Sequence, residues 1–324
     1  MDATDFLSWF EAPRALVEPM VAVLRAANTA VDTLFYDVGV LAAELRDRGA
    51  TIEVGGAPPA GTAGVSEPQK VLLDAVTNPE GSILVIDPQR PPFVTRFADV
   101  EAFASFARTA EPAIRVLSVT GVGSSAFGSA AFAWNIAVAL GEPIGAIVPG
   151  YGVADIVEQA CGGWFGFGLH GPWVKQTAQY WLAMTAPGIA RIGRELMMTA
   201  PGPHRQINGA PVFERGSGSS DVLHALLRDV PGFRYLFGHS KGALVIENAI
   251  LDIPAPITEQ LHIVTFGCPI VEDTPAHYRQ FLGCMDWLGL LNSWGNRPEW
   301  LLPSQHSTNT YIPLSMPVTP LAKA

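Results

Sequence analysis

Ser240 stands in Phe237-Gly238-His239-Ser240-Lys241-Gly242, with a glycine two residues to either side. A serine so flanked can act as a nucleophile when a strand enters the segment and a helix leaves it, because the sharp turn lifts the hydroxyl above the edge of a sheet. Arg234-Tyr235-Leu236-Phe237 has the composition of a strand, and Ala243-Leu244-Val245-Ile246-Glu247-Asn248-Ala249-Ile250 that of a helix. Gly238 and Gly242 let the turn close without a Cβ clash. An ordinary strand-to-helix connection with Ser240 as the helix cap would carry the same glycines. As a nucleophile, serine is weak near neutral pH. A histidine has to take its proton, and a carboxylate has to hold that histidine in the right tautomer.

The elements that would position such groups are legible in outline. From residue 114 the chain alternates apolar strand, glycine-rich loop and helix, the pattern of parallel strands joined by crossover helices. Strands are predicted over Ile114–Thr120, Ile144–Val148, Phe233–Phe237 and His262–Phe266, and helices over Ala126–Leu140, Asp221–Asp229 and Gly242–Leu251. Upstream, apolar residues recur every three or four positions between residues 3 and 48, which predicts two helices. The glycine- and proline-rich stretch 55–68 marks a surface connection. A short helical piece is expected after it, then two strands over Ser82–Asp87 and Pro92–Phe97, candidates for the first strands of the sheet. Residues 160–215 break the alternation with Trp164, Phe165, Phe167, Trp173 and Trp181, among many glycines and prolines. An insertion of that size caps the carboxyl edge of the sheet, where open α/β sheets bind ligands. The expected organisation is a helical lead-in with the first strands over 1–110, and an α/β core over 111–324 carrying a cap or lid at about 160–215.

The Ser240 segment, taken with three others, resembles the α/β-hydrolase superfamily and, within it, lipases with a Gly-His-Ser turn. Val119-Thr120-Gly121-Val122-Gly123-Ser124-Ser125 looks like the oxyanion loop of that family. Pro149-Gly150-Tyr151-Gly152 with Asp155 is similar to its next glycine-rich turn. Val264-Thr265-Phe266-Gly267-Cys268-Pro269 resembles a strand of the class 3 lipases, although Lys241 stands where leucine is usual. The resemblance runs from about Ile114 to His306. It implies a mostly parallel sheet flanked by helices, and hydrolysis of carboxylic esters through a Ser-His-Asp triad and an acyl-enzyme, with no metal and no cofactor.

In that fold the acid and then the base follow the nucleophile along the chain. His262, His277 and His306 follow Ser240. His262 opens a predicted core strand and His277 lies in a polar run, whereas His306 sits on a late polar loop with room for an acid before it. Asp286 closes the apolar run Phe281-Leu282-Gly283-Cys284-Met285, where a carboxylate is costly without a partner. It is favoured over Asp273, which reads equally as a residue at a helix start. The backbone N–H groups of Lys241 and Val122 are the expected oxyanion donors. The loop around Gly121 lacks both the Walker lysine and the full dinucleotide fingerprint, so nucleotide binding is not expected. Trp164, Phe165, Phe167, Trp173 and Trp181 are candidates for an acyl-binding surface, and serve equally well as a small core of the insertion.

Of the 324 residues, 48% are apolar and 15% charged, which places the chain among globular proteins. Thirty acidic against 20 basic residues give a net charge of −10, unsuited to tracking phosphates, so nucleic acid is not an expected partner. A mean hydropathy of +0.24 fits an ester or lipid substrate and allows contact with a membrane surface. The uncharged stretch Val116–Gly141 is long enough to span a bilayer, but its glycine-serine interruption favours strand, loop and buried helix. Acidic residues near the N-terminus and three scattered cysteines, Cys161, Cys268 and Cys284, point to a cytoplasmic protein whose cysteines are core residues. Two other readings stand beside the esterase. One is a thioesterase or amidase with the same triad, and the other is a non-catalytic member of the fold that binds a lipid or a partner.

Overall fold

The computed structural model describes residues 29–53, 70–73, 80–97, 99–121, 124–149, 206–207, 210–211, 213, 218–293 and 295–323. Residues 29–35 are helical and lead into α1 (Val38–Asp47). Two short strands, β1 (Thr51–Glu53) and β2 (Lys70–Leu72), pair in parallel. The second of them opens the interval in which a short helical piece was expected, and residues 74–79 of that interval lie outside the described residues. Then come β3 (Ile83–Ile86), β4 (Val94–Phe97), α2 (Val100–Ala107), β5 (Val116–Val119), α3 (Ala126–Leu140) and β6 (Ile144–Ile147). A two-residue pair follows, β7 (Gln206–Ile207) against β8 (Ala210–Pro211). The chain continues through α4 (Gly218–Asp229), β9 (Tyr235–His239), α5 (Lys241–Ala249), α6 (Ala255–Thr258), β10 (His262–Phe266) and β11 (His277–Gly283). It ends in α7 (Trp287–Asn292), β12 (Trp300–Leu302) and α8 (Val318–Lys323).

Eight strands form one mostly parallel sheet in the order β12-β11-β10-β9-β5-β6-β3-β4. Only β3 runs against its neighbours: it is antiparallel to both β4 and β6, while the remaining pairings are parallel. The two early strands therefore belong to the same sheet as the later ones, at its far edge. Strands β3, β5 and β6 are buried along their whole length, as a parallel sheet covered on both faces requires.

Alternate residues feed two cores. Val116, Phe237 and Phe266 pack with α1, α3 and α8, while Leu117, Leu236 and Ile263 pack with α2, α4 and α5. Burying one such side chain stabilises by roughly 1.5–3 kcal/mol, so the strand ends beside the site are held by a rigid frame. Helix α3 is buried on nearly every side, its alanines and glycine allowing close approach, and Ser125 caps it by accepting from the Phe127 and Gly128 N–H groups. The uncharged stretch Val116–Gly141 is thus β5, a loop and α3. No helix among the described residues is long and apolar enough to cross a membrane. Of the cysteines, Cys268 is a core residue as expected, but Cys284 is exposed, because the chain has left the sheet at Gly283; Cys161 lies outside the described residues.

The chain builds outward from β5 to β6 through α3, then crosses to the opposite side of β5 to place β9, β10, β11 and β12. Neighbouring β5 and β9 thus have connections leaving in opposite directions. At such a point the loops beyond the carboxyl ends diverge and leave a crevice suited to a ligand.

Candidate active site

Ser240 lies beyond the carboxyl end of β9, beside this switch point, in the turn between β9 and α5, with φ 54° and ψ −135°. A non-glycine residue held there costs on the order of 1–3 kcal/mol, which the surroundings must supply. They do so by close packing and hydrogen bonding. The Ser240 N–H donates to the Phe266 carbonyl at 2.8 Å, and the Ser240 carbonyl accepts from the Ala243 N–H at 2.9 Å. A Cβ on Gly242 would collide with the carbonyl oxygens of Val119 and Thr120, so no larger residue fits between β5 and α5.

Asp286 and His306 meet at the ends of β11 and β12. His306 Nδ1 lies 2.8 Å from Asp286 Oδ1 and 2.9 Å from Oδ2. Both residues are buried. A carboxylate only accepts, so Nδ1 carries a proton, and in the neutral ring Nε2 keeps its lone pair. Asp286 is itself fixed as the cap of α7, its Oδ1 accepting from the Gly289 N–H at 2.6 Å. Gly267, with φ +68°, lies against both side chains: a Cβ there would sit 2.9 Å from Asp286 Oδ2 and 3.0 Å from His306 Nδ1. Glycine is required at this position both for its backbone angle and for space. The rival acid, Asp273, is exposed on the connection running back to the start of β11 and is not paired with His306. His277 opens β11 and His262 opens β10, both exposed at the amino edge, opposite the crevice.

Lys241 begins α5, so its backbone N–H belongs to the first turn of a helix, where such groups point outward from the helix end. Val122 lies outside the described residues, as do Trp164, Phe165, Phe167, Trp173, Trp181 and Asp155. Among the described residues, no group of three or more His, Cys, Asp or Glu side chains is arranged to hold a metal ion.

The segment before α1 also enters the site, which the local pattern of the lead-in does not reveal. The Ser307 and Thr308 hydroxyls donate to the Leu34 and Phe35 carbonyls, each at 2.7 Å, and Asn309 Nδ2 donates to the Thr33 carbonyl at 2.6 Å. Asp37 accepts from the backbone N–H and the hydroxyl of Thr310, both at 2.7 Å, and from Asn135 Nδ2 at 2.6 Å. The loop that carries His306 is therefore laced to residues 33–37, and the Phe35 ring meets the His306 ring edge-on at 5.8 Å. Tyr36 reaches further in. Its hydroxyl lies 2.8 Å from His239 Nδ1 and accepts from the Gly121 N–H at 3.0 Å and the Ser124 hydroxyl at 3.2 Å.

From the same segment Asp32 accepts from the Ser125 N–H at 2.8 Å. Burial pushes its carboxyl up to about 7, against the opposing pull of hydrogen bonds from Ser125 and Ser124. Between about pH 4 and 7 the unfolded chain ionises this group while the folded chain keeps it protonated, so its contribution to stability is full below pH 4 and is lost as pH rises through 7. Asp32→Asn retains an acceptor for Ser125 without the charge. Urea midpoints at pH 4.5 and 7.5 are expected to show the variant gaining on the wild type as pH rises; an unchanged difference would show that Asp32 does not titrate in this window.

Comparison of the chain with protein-family models, with curated proteins and with solved structures finds no match.

Proposed function

We propose that the chain is a serine hydrolase of the α/β-hydrolase type that cleaves carboxylic esters through an acyl-enzyme. The observation that carries this reading is the buried His306–Asp286 pair, set beside the strained turn of Ser240 at the switch point between β5 and β9. Ser240 and His306 both adjoin the Phe266–Gly267 turn: one through a backbone hydrogen bond, the other through contact with Gly267.

In this reading His306 Nε2 takes the Ser240 proton as Oγ attacks the ester carbonyl, and Asp286 stabilises the imidazolium that results. The proton then passes to the leaving alcohol. Water, activated by the same histidine, releases the acid and restores Ser240. The Lys241 N–H is one donor to the tetrahedral oxyanion. The Gly121 N–H is taken by Tyr36, which supports Val122 as the second. Exposed apolar residues around Asp286, notably Met285, Trp287 and Leu290, favour a hydrophobic acyl or alcohol part.

A fluorophosphonate probe is expected to label the wild type and not Ser240→Ala. No labelling of the wild type, or equal labelling of both, overturns the reading. Across p-nitrophenyl esters, kcat/KM is expected to rise from acetate towards longer acyl chains, and a sharp preference for acetate removes the hydrophobic substrate class.

A further inference from the structure

We propose that Tyr36 and His239 are positioning residues of this site, whose buried hydrogen-bond chain ties the loop after β5 to the backbone that carries His306. The inference rests on the serine hydrolase reading and adds to it two residues that touch neither the ester nor the proton in flight.

The direction of every bond in the chain is forced. The His306 carbonyl can only accept, so His239 Nε2, 2.9 Å away, carries the ring proton. His239 Nδ1 is then an acceptor and takes the Tyr36 hydroxyl proton at 2.8 Å. The Tyr36 oxygen, having donated, receives the Gly121 N–H and the Ser124 hydroxyl. Every group in the chain is satisfied, and none is charged. Burial holds His239 down at about 3, so it remains neutral even when His306 becomes an imidazolium, and burial pushes the Tyr36 phenol well above its usual range.

The surroundings lock the two rings. Tyr36 meets His239 edge-on at 5.2 Å and Phe132 at 5.9 Å, and the His239 and His306 rings lie 4.9 Å apart. Tyr36 is part of the apolar core around α3, where phenylalanine would fill the same space without burying a hydroxyl. The work of the hydroxyl is therefore in the connection it makes. A fully satisfied polar chain in a core rigidifies what it joins. Here it joins the three parts whose relative placement sets the chemistry: the loop after β5, the residue next to Ser240, and the base. A displacement of about 1 Å between such parts can cost on the order of 100-fold in rate.

Tyr36→Phe, His239→Gln and His239→Leu test this on the full chain, with rates normalised to sites titrated by a fluorophosphonate. Tyr36→Phe is expected to lower kcat per titrated site by roughly 10- to 100-fold with KM within about twofold. It is expected to weaken phenylboronic acid, a mimic of the tetrahedral anion, by a similar factor. His239→Gln, which keeps an amide donor for the His306 carbonyl, is expected to retain clearly more activity than His239→Leu. A Tyr36→Phe enzyme with wild-type kcat per titrated site overturns the proposal and leaves the hydrolase reading intact, as does a loss confined to the number of titratable sites. Should Tyr36→Phe fail to fold, the His239 pair decides, and equal activity of the two overturns it. A wild type that neither labels nor hydrolyses esters fails the underlying reading instead.

Discussion

Ser240→Ala is expected to lower kcat for ester hydrolysis by roughly 10⁴- to 10⁶-fold, because the proposed mechanism has no other nucleophile to form the acyl-enzyme. KM, by contrast, should change little. The variant keeps a Cβ at φ 54°, so its stability should stay close to that of the wild type. Ser240→Gly separates the two roles of the position. It loses the same activity but removes the backbone strain, and is expected to be more stable by about 1 kcal/mol. Steady-state kinetics on p-nitrophenyl butyrate and thermal melts of the three proteins check both statements. Residual turnover within tenfold of the wild type in Ser240→Ala would rule out Ser240 as the nucleophile. A glycine variant that melts below the wild type would mean that the turn is not strained.

The second large effect is expected at Asp286, through the tautomer of His306. Asp286 accepts from both the Gly289 N–H and His306 Nδ1. Asparagine has one oxygen and one amide group to offer. With its oxygen kept on the Gly289 N–H, its amide donates to Nδ1, and the ring proton is forced onto Nε2, where it cannot receive the serine proton. A drop in kcat of roughly 10⁴-fold is expected from this single exchange. The helix cap survives, since asparagine caps a helix about as well as aspartate does, so the melting temperature should move little. Asp273→Asn, at an exposed position, should leave kcat unchanged. A reversed pattern, with Asp273→Asn inactive and Asp286→Asn active, would overturn Asp286 and identify Asp273 as the acid.

Much of the architecture was legible because it is written in local patterns. The apolar runs now seen as β5, β6, β9 and β10 predict buried strands within a few residues of their bounds, and Gly141 marks the end of α3. The strand β2 was not anticipated because it is only three residues long, too short to show its own alternation. Within the candidate site, Ser240 declares itself through its flanking glycines, and Asp286 through its place behind an apolar strand. Sequence reasoning could not choose firmly between Asp286 and Asp273, since both follow apolar runs. The sheet separates them. One lies just beyond the carboxyl end of β11, and the other on the return towards its amino end. His239 is legible only as part of the Gly-His-Ser turn, and the hydrogen bond that joins it to Tyr36 carried no usable signal. Tyr36 lies inside the stretch 3–48 that apolar spacing predicts as helical, and nothing local reports a hydroxyl 2.8 Å from a ring 203 residues away.

From its sequence alone, this protein was bound to form alternating strands and helices, with a sharp glycine-flanked turn presenting Ser240. Periodicity and glycine placement act over a few residues, and a single chain displays them directly. Which carboxylate meets His306, and how the segment around Tyr36 braces the loop after β5 and the loop that carries the histidine, was decided only by the tertiary structure. Those contacts join residues tens to hundreds of positions apart, and they exist only once the sheet order has brought the carboxyl ends of β5, β9, β10, β11 and β12 to one edge.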